Sequence, residues 1–169
     1  MSRSIKQGLD YFPMDVEIDN KIELIEAKHG IAGFGIIVKL FQKIYKEGYY
    51  LAWDEDTQLL LAKRINVDIN VINVVMNDCF HYNLFNQSLY DQHHILTSSG
   101  IQKRYFNATN RRKELFLCKK YIIVDINKIN VDINWINDDN GTQSKVKYSK
   151  VKKSRVKESK VKQEDDLNF

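Results

Sequence analysis

The run DEDTQLLLAKRINVDINVINVVMNDCFHYNLFNQSLYDQHHILTSSGIQKRYFNATNRRK, from Asp54 to Lys113, strings two short amphipathic helices, a tight turn, a β-prone pair and a basic helix into one order. Asp54 and Asp56 stand where an N-cap and an acidic first turn belong, and Leu61 and Ile65 recur at i and i+4 before the pattern breaks at Asn66. This predicts a helix of roughly a dozen residues. Asp68 can cap a second helix, with Ile69, Ile72, Val75, Met76 and Cys79 on one face and Asn70, Asn73 and Asn77 on the other. Only Asn66 and Val67 separate the two, so they must cross steeply, the arrangement that projects a second helix into a DNA major groove. After Phe80 the period falls towards two. Asn86, Gln87 and Ser88 lie between Leu84-Phe85 and Leu89-Tyr90, which predicts a hairpin or wing. Ser98 or Ser99 then caps a helix with Ile101, Tyr105 and Ala108 facing inwards and Lys103, Arg104, Arg111, Arg112 and Lys113 on its other face. The expected fold is mainly α with a small β-hairpin, a winged helix-turn-helix.

Upstream, the residues before Ile22 are expected to be partly ordered at best, although Tyr11 and Phe12 before Pro13 are aromatic enough to pack on the domain. Asp19 or Asn20 caps a helix through His29, with Ile22 and Ile25 inwards and Gly30 as its stop. His29 then suits a favourable cation at a helix C-terminus. Ala32 to Lys46 makes a more hydrophobic helix, and Ile36, Ile37, Leu40, Phe41 and Ile44 cover so much of it that it should be central to the core. Gly33 and Gly35 permit close packing near its start. A phosphate cradle of Gly30, Gly33 and Gly35 fails, because no strand precedes it and no lysine follows in place. Gly48 ends the helix, and Tyr49 to Trp53 suits an extra strand paired with the wing.

With 169 residues and 43% hydrophobic content, the chain can build one well-packed domain plus an appendage. No apolar run reaches the ~18 residues that span a bilayer. The start, Arg3 and Lys6 before Asp10, lacks the apolar core of a signal peptide, so the expected location is cytoplasmic, with no membrane partner. Cys79 and Cys118 are too few for a disulfide framework. The abundance of Ile, Asn and Lys fits an A·T-rich coding genome. Charge is segregated: net −4 over residues 1–102, +11 over 103–163 and −3 over the last six. A slightly acidic globule with a strongly basic C-terminal third suits a protein that holds a polyanion with an arm.

The expected division is a winged-helix domain over 1–117, a low-complexity Ile/Asn-rich linker over 118–143 and a disordered Lys-rich tail over 144–169. Tyr121 to Asn137 alternates imperfectly and would suit a strand if a partner existed. Ile129 to Asn134 repeats Ile65 to Asn70 residue for residue; codon-level expansion is the plainer explanation, and identical hexapeptides need not share a fold. From Ser144 to Gln163 run four five-residue units of the type Ser-Lys-Val-Lys, whose period matches neither 3.6 nor 2 and so builds no core stripe. Such a segment should be disordered when free. Its Lys145, Lys147, Lys150, Lys152, Lys153, Arg155 and Lys157 suit sequence-blind contact with phosphates. A solubilising tail is the plainer alternative, and a membrane tether is disfavoured because no large apolar residue follows Tyr148 in the repeat.

Within the helix-turn-helix, Lys63 and Arg64 end the first helix and are candidate phosphate contacts, while Asn70, Asn73 and Asn77 could read adenine. Against base reading, Asp68 and Asp78 share the second helix with no Lys or Arg beside them, so the simpler reading is a solvated outer face. Arg111, Arg112 and Lys113 form a denser cluster than an ordinary exposed face. Cys79, His81, His93 and His94 match no standard zinc spacing. Enzyme motifs such as Gly-x-Ser-x-Gly, His-Glu-x-x-His or a P-loop do not occur, so no catalysis, cofactor, metal or small-molecule substrate is expected.

Three further stretches, Gly8-Leu9-Asp10-Tyr11-Phe12-Pro13-Met14-Asp15, Gly30-Ile31-Ala32-Gly33-Phe34-Gly35 and Tyr45-Lys46-Glu47-Gly48-Tyr49-Tyr50-Leu51, join Asn83-Leu84-Phe85 and the segment Gln102 to Lys113. Together they cover about two thirds of the chain and resemble the N-terminal winged-helix family of phage and prophage replication-initiation proteins, the DnaD-like replisome organisers. The Ser-Lys-Val-Lys repeats resemble linkers behind that domain. The resemblance implies origin or single-strand DNA binding, self-association as a homo-oligomer and help in loading a replicative helicase. Relatives often carry a second helical DNA-binding domain after the linker, whereas this sequence stops at Phe169. The alternative is a protein-interaction or homo-oligomerisation module that touches DNA little, suggested by the acidic balance of residues 1–102.

Overall fold

The computed structural model describes residues 6–127 and 129–136. It is mainly helical, with five α-helices and two small two-stranded sheets. Helix α1 spans Asn20–Glu47, β1 Leu51–Ala52, α2 Glu55–Ile65, α3 Ile69–His81, α4 Gln87–His93, β2 Ile95–Leu96, α5 Ser99–Thr109, β3 Glu114–Cys118 and β4 Asp132–Ile136. A short 3-10 turn, Lys119–Tyr121, follows β3.

The stop expected at Gly30 is a kink inside α1: its φ of 67° and ψ of −164° leave the helical region, and a side chain there would be strained. The two limbs meet closely at Gly33, where a Cβ would lie 2.7 Å from that of His29; at Gly35 there is open space, so only Gly33 serves close packing. The second limb is the centre of the core. Ile36, Ile37, Leu40 and Ile44 are almost fully buried, and Phe41 joins an aromatic cluster with Phe12, Tyr45 and Phe85. α3 packs on α1 and α2 through Ile72, Val75, Met76 and Cys79, the face expected from periodicity.

The hairpin expected around Asn86 is instead helix α4. The Asn86 side chain accepts the Leu89 N–H at 2.8 Å, so Asn86-Gln87-Ser88 is an N-cap and first turn rather than a β-turn. Leu84 and Phe85 enter the core ahead of the cap, and Tyr90 lies 4.6 Å from the Phe80 ring, centroid to centroid. His94 ends the helix in the left-handed region, and the chain returns as β2. The strand expected within Tyr49 to Trp53 is β1, and its antiparallel partner is β2, with Leu51 opposite Leu96 and Ala52 opposite Ile95.

Helix α5 begins at the Ser98 cap and ends at Thr109, so Arg111, Arg112 and Lys113 lie beyond the helix on which they were expected. Ile101 and Tyr105 face inwards as read, but Ala108 is exposed and Phe106 and Thr109 are buried instead. The Thr109 hydroxyl donates to the Tyr105 carbonyl at 2.8 Å. One polar network missed in the sequence crosses the core here. Gln102 donates to the Tyr121 carbonyl at 2.8 Å and accepts the Ile123 N–H at 3.0 Å, while the Thr97 hydroxyl donates to the Tyr49 carbonyl at 2.7 Å. Both amide atoms of Gln102 thus have a partner, which offsets the cost of burying them.

The N-terminal segment, expected to be partly ordered, is tied down from Lys6. Arg112 donates to the carbonyls of Lys6, Gln7 and Gly8 at 2.6, 2.8 and 2.6 Å, and the Tyr105 hydroxyl donates to the Gln7 carbonyl at 2.8 Å. The Phe12 ring stacks on Tyr45, 4.8 Å between centroids.

The alternating stretch after Tyr121 has the partner it lacked on paper: β4 runs parallel to β3, Leu115 opposite Ile133 and Leu117 opposite Trp135. Residues 119–131 supply the long crossover that a parallel pair needs. Residues 118–127 and 129–136, from the stretch expected as linker, therefore belong to the packed body, with Ile136 buried in the same core. Lys145, Lys147, Lys150, Lys152, Lys153, Arg155 and Lys157 lie outside the described residues.

Candidate nucleic-acid interface

The α2-to-α3 junction is built by three local devices. Asp54 caps α2 by accepting the Thr57 N–H at 2.8 Å, and hydrogen bonding from the Thr57 side chain, with this backbone bond second, holds its carboxyl below the usual range. Asn66 closes α2 in the left-handed region with φ 53°, a conformation that asparagine tolerates better than most residues. Asp68 caps α3 by accepting the Asn70 N–H at 2.7 Å. The turn thus holds its own polar groups. Beyond it, the outer face of α3 carries Asn70, Asn73, Val74, Asn77 and His81, all exposed.

Asp78, which in sequence stands among neutral residues, is not a bare negative charge. Lys28 reaches its Oδ1 at 2.8 Å and the His29 ring its Oδ2 at 2.6 Å, from the last turn before the Gly30 kink. The hydrogen bond from Lys28, followed by that from His29, holds the carboxyl below its ordinary range, and Asp78 in turn raises Lys28. The expectation that α3 would repel phosphates is therefore corrected at Asp78. Its partners, Lys28 and His29, are about fifty positions away in the chain and so invisible to local reading. Asp68 spends one oxygen on its helix cap.

The other candidate residues divide. Lys63 and Arg64 are exposed at the end of α2, and Lys103, Arg111 and Lys113 are exposed on and after α5; none of these five is in an ion pair among the described residues. Arg104 pairs with Asp15 at 3.2 Å and Arg112 is engaged by the N-terminal carbonyls, so both serve the fold. Lys63 and Arg64 stand in the last turn of α2, a few residues before the exposed asparagines of α3. Between α2, α3 and α4 a cleft of about 400 Å³ is lined by Gln58, Asn73, Asn77, His81 and Gln87 together with Trp53, Met76, Phe80 and Tyr90. Cys79 is buried, and burial pushes its thiol up to about 12. Among the described residues no group of three or more His, Cys, Asp or Glu side chains is placed to hold a metal, and no helix is long and apolar enough to cross a membrane.

Residues 11–101, from the N-terminal segment to the start of α5, match the model of the family described as Lin1244/Lin1753-like, N-terminal. The chain belongs to this family. Its members include a relative from Listeria innocua described as an uncharacterized phage-related protein, Lin1244/Lin1753, 46% identical over 151 residues. That match takes in 79% of this chain but 50% of the relative, so the chain spans about half the length of the curated protein it resembles. No solved structure matches it. The phage connection expected from the sequence is thus found in the description of that relative.

Proposed function

We propose that this protein is a phage-type DNA replication-initiation protein, a replisome organiser, that binds DNA through a winged-helix-like body and its basic C-terminal segment. The observation that carries the reading is the α2–α3 pair: a short capped turn presents an outer helix face free of acidic side chains, beside the exposed Lys63 and Arg64. Short β1 and β2 pair antiparallel, and α4 lies between α3 and β2 in the chain. The phage-related relative and the positive charge of residues 103–163 support the same reading. Phosphate contacts fall to Lys63, Arg64, Lys103, Arg111, Lys113 and the tail cations; a helicase or its loader is the partner this role implies. Fluorescence titration of labelled duplex with the full chain at increasing salt tests it. Affinity should fall steeply, linearly in the logarithms, and an affinity indifferent to salt would exclude the electrostatic mechanism.

A second reading, a homo-oligomerisation or protein-docking module, is favoured by exposed Leu59 and Leu60 on α2 and by Leu24 and Ile31 flanking the kink. A chain ending before the tail that stays oligomeric and loses all DNA affinity would establish it in place of the first.

A further inference from the structure

If α3 is the DNA-facing element, as proposed above, the chemistry of its outer face also names the base pairs it suits. At 100° per residue, Asn70, Val74, Asn77 and His81 fall on one line opposite buried Ile72, Val75, Met76 and Cys79. Asn73 flanks that line on the side of the cleft shared with α2 and α4. Val71 and Asp78 flank it on the side of α1, where Lys28 and His29 hold Asp78.

Arg and Lys are absent from this face, so the bidentate contact that selects guanine through O6 and N7 has no donor here. Glu and Asp are absent from its central line as well, so nothing there is suited to accept from the cytosine amino group. A carboxamide, in contrast, offers one donor and one acceptor in the spacing that meets N7 and the amino group of adenine. Val74, 52% exposed, stands between Asn70 and Asn77, and Val71 is 41% exposed beside it. Valines left in water on a helix of asparagines lack a packing role, and an apolar group is what a thymine methyl meets. Lys63 and Arg64 precede α3 and, unlike Lys28, which is held by Asp78, stand free of ion pairs, which suits a phosphate backbone at the N-terminal end of the stripe.

We propose that α3 reads A·T pairs in the major groove of duplex DNA, with the Asn70 and Asn77 carboxamides on adenine and the Val74 methyls against a thymine methyl.

The test uses the full chain and four labelled duplexes of equal length at one salt concentration: A·T-rich, G·C-rich, A·T-rich with uracil for thymine, and A·T-rich with 7-deazaadenine for adenine. The last two alter only the major-groove edge. The A·T-rich duplex should bind about tenfold tighter than the G·C-rich one. Uracil should remove part of that advantage and 7-deazaadenine most of it. The variant Asn70→Ala/Asn77→Ala, with an unchanged helical circular dichroism spectrum, should bind A·T-rich and G·C-rich duplexes alike. Equal affinity of the parent for all four duplexes would overturn base reading while leaving DNA binding intact. A preference for A·T that survives both modified bases would place the reading in the minor groove and overturn it too. Absence of binding to every duplex at low salt would remove the DNA-binding reading itself, and this proposal with it.

Discussion

Arg111 and Arg112 are neighbours with opposite fates, and nothing local separates them. Arg111 points into solvent, whereas Arg112 spreads its guanidinium over three carbonyls about a hundred positions away. A cation cluster is legible in a sequence; which member is spent on the fold is not, because its partners are distant. Arg112→Ala should cost about 2–4 kcal/mol, since charge-assisted hydrogen bonds to backbone are lost together with the anchoring of the N-terminal segment. Arg111→Ala should stay within about 0.5 kcal/mol. Urea unfolding of both variants checks this, and equal losses would undo the assignment. Glu47 is a second case. Burial pushes its carboxyl up despite Lys43 and Lys46, and its Oε2 has no hydrogen-bond partner among the described residues. A carboxyl with a raised folded-state pKa keeps its proton longer in the native chain than in the unfolded one, so its contribution to stability falls as pH rises between the two values. Glu47→Gln, neutral throughout, should melt higher than the parent at pH 7, with the gap closing towards about pH 4. Thermal melts across that range would refute the idea if the parent were the more stable at neutral pH.

Two copies of Ile-Asn-Val-Asp-Ile-Asn show at the scale of elements what a local pattern can and cannot specify. Residues 65–70 end α2, turn and begin α3, with Asp68 as a cap; residues 129–134 lead into β4, with Asp132 opposite Glu114. The first copy sits between helical periods that impose its fate. The second has only an alternation, and its strand exists because β3 lies alongside. The five-residue β3 was missed in the short stretch between Lys113, the last residue of the expected basic helix, and the start of the expected linker at 118. Helices α2 and α3 and the Gly30 break were legible because caps and period agreed. The wing was misread at Asn86, a residue equally at home in a β-turn and at an N-cap. As a cap, Asn86→Ala should lower stability by about 1 kcal/mol while Asn86→Ser or Asn86→Asp recovers most of it. Chemical unfolding of the three variants checks this; a loss repaired only by Gly would favour a turn.

For the whole molecule, the question is how the cationic surface is shared between the packed body and the segment after it. The body through residue 102 is net acidic, yet Lys63 and Arg64 stand free of ion pairs at the α2 terminus, and Arg111 and Lys113 are exposed where the chain passes from α5 to β3. α3 packs chiefly on α1 and α2, so the α5–β3 junction is a separate site rather than an extension of its outer face. If both sites touch one polyanion, each lost phosphate contact should flatten the salt slope by roughly one unit and weaken all sequences alike. Arg112 must be left in place for such a test, because its loss would unfasten the N-terminal segment. Arg111→Ala/Lys113→Ala should therefore remain as stable as the parent, bind every duplex less tightly by a similar factor and lower the slope by about one to two units. An unchanged slope in the folded double variant would leave the electrostatic contact to Lys63, Arg64 and the basic segment beyond the body. A loss confined to one sequence would mean instead that this junction reaches base edges.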